Sequence, residues 1–102
     1  MSRGKHTVRL LPSAEEDLAD IISYIAADRI TSARALADRI EKNLKLLSAN
    51  PRLGRVPAEK ELADSGYRFL IVENYLIFYV IEGKTIYVHR IIHGARDYFA
   101  IL

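Results

Sequence analysis

Apolar residues recur along this chain with two different periods, and the change between them divides it. Between Ser13 and Asn50 the period is helical: Leu18, Ile21, Ile22 and Ile25 fall at i, i+3, i+4 and i+7. After a break at Asp28 to Ile30, a second stripe runs through Ala33, Leu36, Ala37, Ile40, Leu44 and Leu47. Ser13 stands three residues before Glu16, the capping-box spacing, so the first helix is expected to start there. Thr31 is the expected cap of the second helix, and Asn50-Pro51 its end. So short a connection implies an antiparallel helical hairpin. From Tyr67 onward the helical period is replaced by runs rich in β-branched and aromatic residues: Tyr67 to Val72, Tyr75 to Ile81 and Thr85 to Ile92. Glu73-Asn74 and Glu82-Gly83-Lys84 separate them as hairpin turns. A further strand is expected at Thr7 to Leu11, stopped by Pro12.

The expected order is therefore βααβββ, one α+β domain over residues 1–102, with an antiparallel helical hairpin packed on one face of a mainly antiparallel four-stranded sheet. The run YLIFYVI is apolar on both faces, which marks a central strand covered on each side. Pro51 to Gly66 loses all period and is punctuated by Pro51, Gly54, Pro57 and Gly66, so it reads as a loop with one turn near Glu59 to Ala63. A loop of about 16 residues is long for so small a domain, and such loops are often functional.

Composition narrows the classes. Half the residues are apolar and 27% charged, which suits a packed globule. There is no cysteine, hence no disulfide and no thiolate zinc site. No run reaches the roughly 18 apolar residues of a membrane span. The start, MSRGKHTVRLLPSAEED, turns acidic too early for a secretory signal, so a soluble cytoplasmic protein without a membrane partner is expected. The net charge of +2 does not by itself call for nucleic acid. Acid gathers at Glu15, Glu16, Asp17 and Asp20, and cations at Arg34, Arg39, Lys42, Lys45, Arg52 and Arg55, an order that the helix dipole also favours.

Several groups of residues, in this order, resemble the RelE/ParE superfamily of toxins from bacterial toxin-antitoxin modules. They are Asn50-Pro51-Arg52 with Gly54-Arg55, Gly66-Tyr67-Arg68, Asn74-Tyr75 leading into Ile77-Phe78-Tyr79, and the ending Arg90-Ile91-Ile92-His93-Gly94-Ala95-Arg96-Asp97. The resemblance spans nearly the whole chain. It implies a growth-inhibiting toxin, plasmid stabilisation among its roles, neutralised by a co-expressed antitoxin protein whose helix and extended segment wrap the toxin. A homodimer or a toxin-antitoxin heterotetramer suits such a pair, and no cofactor is implied.

The superfamily divides by target. RelE-like members cut messenger RNA on the ribosome; ParE-like members are not nucleases and inhibit DNA gyrase. RNA cleavage needs a base, an acid and cations for the phosphate charge. If this chain were a nuclease, Arg68, His93, Arg96 and Tyr98 would be the catalytic candidates, assisted by Glu59 or Glu61. RelE-like chains place a basic cluster directly after the last strand, whereas Gly94-Ala95 follows His93 here, and the His-Gly-x-Arg-Asp ending resembles the ParE side. The gyrase reading is therefore the expectation, with Arg68, Arg90, His93 and Arg96 as target-binding residues gathered on one rim.

Plainer roles stand beside these. Arg68 can pair with Glu73 or Glu82, His93 can close the last strand as a hydrogen-bonded histidine, and Arg90 can face solvent or meet a carboxylate. Asp97 with Arg96 can simply tie down the tail, and Tyr75, Tyr79 and Tyr87 can be cross-strand core pairs rather than base-stacking platforms. His89 and His93 are read as sharing a strand face about 13 Å apart, too far for one metal. On the sheet face away from the helices, alternate residues of Leu70, Val72, Phe78, Val80 and Tyr87 form an apolar surface for the antitoxin, and the apolar tail of Tyr98, Phe99, Ile101 and Leu102 is expected to pack or meet a partner.

Overall fold

The computed structural model describes residues 5–102; the first four residues, on which part of the secretory-signal reading rests, lie outside them. The elements are β1 (Thr7–Leu10), α1 (Pro12–Asp28), α2 (Ile30–Ala49), α3 (Lys60–Asp64), β2 (Tyr67–Val72), β3 (Tyr75–Glu82), β4 (Thr85–His93) and α4 (Tyr98–Ile101). The sheet order is β1-β4-β3-β2. β1 runs parallel to β4, with Thr7 opposite Thr85, and the other pairs are antiparallel. The fold is α+β, two helices against a mixed, mainly antiparallel sheet.

Both helix starts differ in detail from the expected caps. α1 begins at Pro12, where a missing N–H costs nothing, and Leu11 before it makes no side-chain cap. Ser13 does not close a capping box. Its hydroxyl donates to the His89 carbonyl at 2.9 Å and ties the helix start to β4. α2 begins one residue before Thr31, and Arg29 alone joins the two helices: it is extended (φ −151°), its N–H donates to the Ile25 carbonyl at 2.8 Å and its carbonyl accepts from Ala33 at 3.2 Å. One extended residue is enough to reverse the chain into a hairpin.

The two helical stripes meet one sheet face. Ala14, Leu36, Ile40 and Leu47 pack with Leu70, Val72, Ile77, Tyr79, Ile86, Val88 and Ile91, flanked by Leu18, Ile21, Ile22, Ile25 and Leu44. Each fully buried leucine or isoleucine here contributes about 1.5–3 kcal/mol relative to exposure. Leu70 and Val72 thus belong to the core. This corrects the expectation that they share a partner-binding face with Phe78, Val80 and Tyr87: strand alternation sends them to the helix side, because even-numbered positions of β2 face it.

The opposite face is partly covered by the chain itself. Phe78 is fully buried there. Its ring has Tyr67, Phe69 and Tyr98 around it at centroid distances of 6.4, 5.5 and 4.9 Å. The apolar tail packs as expected, through Tyr98, although Phe99 remains exposed.

A bulge interrupts β4. Phe78 stands opposite Arg90 but Tyr79 opposite Val88, which leaves His89 as the extra residue. The bulge breaks simple alternation, so His89 and His93 do not share a face as expected: His89 turns to Tyr67 on the outer side, and His93 to Tyr75, a residue in line with the helix-facing Ile77.

Candidate functional site

The end of β4 folds over in a tight backbone turn. Gly94 N donates to the Asn74 carbonyl at 2.8 Å, anchoring the turn to the β2–β3 hairpin, and Arg96 N donates to the His93 carbonyl at 3.0 Å. Ala95 N donates to His93 Nδ1 at 3.2 Å, so that nitrogen is the acceptor and Nε2 is available as donor. The imidazole lies edge-on to Tyr75, centroids 5.4 Å apart. A cleft of about 240 Å³ opens between this turn and α1, with Asp17, Asp20, Tyr24, Tyr75, His93 and Arg96 on its walls. Tyr24 is 81% exposed at its edge. The site combines one guanidinium, one imidazole, two phenols and carboxylates, a surface suited to recognising a polar protein partner.

The rim expected from the sequence is divided. His93 and Arg96 come together in this cleft. Arg90 is held away from solvent contacts by Asp17: Nε and Nη2 donate to the two carboxylate oxygens at 2.6 and 2.8 Å, and Ile91 N donates to the same carboxylate at 2.9 Å. That bond raises the Arg90 pKa above its ordinary value. Arg68 stands in register with Tyr79, four residues along β3 from Tyr75, the partner of His93. The separation along the strands is thus about 13 Å. Arg68 meets neither Glu73 nor Glu82; its Nη1 donates to the Gly54 carbonyl at 2.9 Å and to the Arg52 carbonyl at 3.4 Å.

Those carbonyls belong to a built corner. The Tyr79 hydroxyl accepts from Gly54 N at 2.9 Å and donates to the Pro51 carbonyl at 2.7 Å. A side chain at Gly54 would sit 2.6 Å from that hydroxyl. The segments Asn50 to Arg55 and Gly66 to Arg68, noted in the sequence as separate motifs, thus form one structural lock, and Tyr79 is its hub.

Tyr98 meets a carboxylate on the outer face, donating to Glu59 Oε1 and Oε2 at 3.1 and 2.9 Å. Burial, and then the Glu59 bond, raise the phenol pKa, so it stays a proton donor at neutral pH. Glu61, in the first turn of α3, is exposed. Among the described residues, no group of three or more His, Asp or Glu side chains could hold a metal, and no helix is long and apolar enough to cross a membrane. Sequence reasoning did not single out Asp17, Tyr79 or Tyr24 for these roles. Only the placement of Asp17 one turn after Ser13, on the side of α1 that meets β4, could have signalled its part.

A sequence model described as the ParE toxin of the type II toxin-antitoxin system parDE matches residues 8–98. The chain belongs to the ParE toxin family. It is accordingly a toxin of a type II toxin-antitoxin system, as its motifs implied. Among solved structures, it is similar to a chain of the chromosomal ParDE system of P. aeruginosa, with 23% identity and a TM-score of 0.70, covering 88% of this chain and 97% of that one. It is also similar to a chain of the toxin-antitoxin complex RelBE2 from Mycobacterium tuberculosis, with 28% identity and a TM-score of 0.64, covering 87% of this chain and 98% of that one. No curated protein matches the chain. The first likeness speaks for the fold of this ParE-family toxin; the second ties it to the wider superfamily.

Proposed function

We propose that this ParE-family toxin arrests growth by binding and poisoning DNA gyrase in the cytoplasm, and that a cognate antitoxin neutralises it. His93 and Arg96 at the end of β4, with Tyr24, Asp20 and Tyr75 across the cleft, form the surface offered to the target. Arg90 supports that surface from behind through Asp17, and Arg68 supports the fold from the far end of the sheet.

One observation carries this reading over a ribonuclease: the guanidinium groups of Arg68 and Arg90 are already committed. A phosphodiester cleaved in line needs cations beside the reacting phosphate. Arg90 is engaged by Asp17 and Arg68 by loop carbonyls, while the acid-base pair closest to a nuclease constellation, Tyr98 with Glu59, lies on the other sheet face from His93. The ribosome-dependent messenger-RNA nuclease draws its support from the likeness to the RelBE2 complex. Two measurements separate them. Purified toxin is expected to inhibit gyrase supercoiling or trap cleaved DNA, and Arg96→Glu to abolish this while keeping the wild-type circular dichroism. Cleaved messages in induced cells, with gyrase activity intact, would overturn the proposal.

A further inference from the structure

The most exposed large apolar side chain among the described residues is Tyr24 of α1, at 81%. It walls two cavities at once. One is the cleft that holds His93 and Arg96; the other, of about 680 Å³, lies at the tip of the helical hairpin, against Ala27, Asp28, Arg29 and Ser32. Tyr24 is therefore a ridge between two hollows, and the surface of the cleft continues over it to the hairpin tip. There Ile30, the residue after Arg29, is 62% exposed.

The tip holds these groups in place. Arg29 alone joins the helices, and its backbone bonds to Ile25 and Ala33 are both made, so there is no loose loop to order on binding. An exposed tyrosine on such a frame offers a large contact area at low entropic cost, and tyrosine is among the residues that dominate binding energies. Charge then selects the kind of partner. α1 contains no cationic residue. Of its carboxylates Asp17 is committed to Arg90, whereas Asp20 and Asp28, one turn before and one turn after Tyr24, make no hydrogen bond or ion pair among the described residues. The three residues stand at i, i+4 and i+8, one line along the helix about 12 Å long. Two unpaired carboxylates flanking a phenol repel phosphate and attract cationic side chains.

We propose that the hairpin tip extends the target-binding surface and takes a protein segment of gyrase rather than its DNA. An apolar side chain of that segment packs between Tyr24 and Ile30, and its cations lie against Asp20 and Asp28. The cavities and the exposed apolar pair make the site; the carboxylates set the sign of what enters it. The inference rests on the gyrase reading of the proposed function and adds where, and by what chemistry, the target is held.

The test measures binding of the intact toxin and its variants to intact gyrase, without DNA. Tyr24→Ala is expected to weaken binding by about tenfold or more and Ile30→Ser by about threefold or more, while Tyr24→Phe, which keeps the ring, stays within about threefold of wild type. Asp20→Lys combined with Asp28→Lys should weaken binding and reduce its salt dependence. Leu46→Ser is the control: Leu46 is 54% exposed but lies about 24 Å along α2 from Ile30, and its variant should bind within about twofold of wild type. These side chains are exposed, so every variant should keep the wild-type circular dichroism. Independently of substitution, amide exchange from Ala27 to Ser32 should slow when gyrase is bound. Suppose that wild type binds and Arg96→Glu does not, but Tyr24→Ala and Ile30→Ser bind within about twofold of wild type and exchange at the tip is unchanged; the extension alone is then overturned. Wild-type toxin that leaves gyrase unbound overturns the gyrase reading and the extension with it. Binding that requires DNA, or variants that lose the antitoxin and keep gyrase, would likewise overturn the assignment of the tip.

Discussion

Replacing Asp17 by asparagine keeps the shape of the side chain and removes its charge. The native carboxylate accepts two bonds from Arg90 and one from the Ile91 amide. Arg90 and Asp17 side chains are 26% and 14% exposed, so solvent screens the pair less than an ordinary surface bridge. The asparagine oxygen can retain a neutral bond, but its NH₂ group opposes a guanidinium donor. Charge-assisted bonds contribute about 1.5–3 kcal/mol each on truncation, and the remaining neutral bond offsets part of the loss, which gives about 2–3 kcal/mol of destabilisation. With an m of about 1.2 kcal/mol/M, the urea midpoint should fall by about 2 M without a change in slope. A double-mutant cycle with Arg90→Met should give a coupling of about 1–2 kcal/mol. A loss below about 0.5 kcal/mol would place the pair among exposed surface bridges and refute the view that it anchors α1 to the bulge in β4.

The corner around Tyr79 should be as sensitive. Tyr79→Phe loses both hydroxyl bonds at a fully buried ring and should cost about 1–3 kcal/mol, and Gly54→Ala, which drives a methyl onto that hydroxyl and the Phe69 carbonyl, about 3 kcal/mol by thermal or urea unfolding. A pH series tests His89. Burial lowers its pKa below the ordinary 6.5, with Glu82 pulling weakly the other way, so the unfolded chain takes up the proton at higher pH than the folded one. Its contribution is complete above about pH 6.5 and declines as the pH falls below it; His89→Gln should flatten that part of the stability curve.

Much of the fold was legible because its punctuation is local. The two hairpins reverse where the backbone demands a positive φ, at Glu73 (54°) and Gly83 (61°), and the flanking strands were located to within a residue at each end. Likewise, helix stripes such as Leu36, Ile40 and Leu47 carry their own period into the core. What escaped were choices made in three dimensions. β2 and β3 are apolar on both faces, so nothing in Leu70 or Val72 declared which side the helices would cover. The bulge at His89 is a property of strand pairing, and it sets Arg90 opposite Phe78. Ser13 had a local partner in Glu16 and took a distant carbonyl instead, because α1 already starts at Pro12. Arg68 was read as a cation in search of an acid, yet its partners are backbone carbonyls, which leave no mark in side-chain identities. The candidate site was legible as His93 and Arg96; the α1 wall opposite them was not.

The parallel pairing of β1 with β4 sets a schedule for synthesis. β1 has its place only beside β4, the strand farthest from it in sequence, and the helices rest on a sheet whose central strands, β4 and β3, both follow them in the chain. Contacts so distant in sequence form late and slowly. A nascent chain interrupted before Thr85 therefore has no seat for its N-terminal strand and lacks the turn that carries His93 and Arg96. The seat of β1 and the turn bearing His93 and Arg96 are thus both made by the same strand, β4.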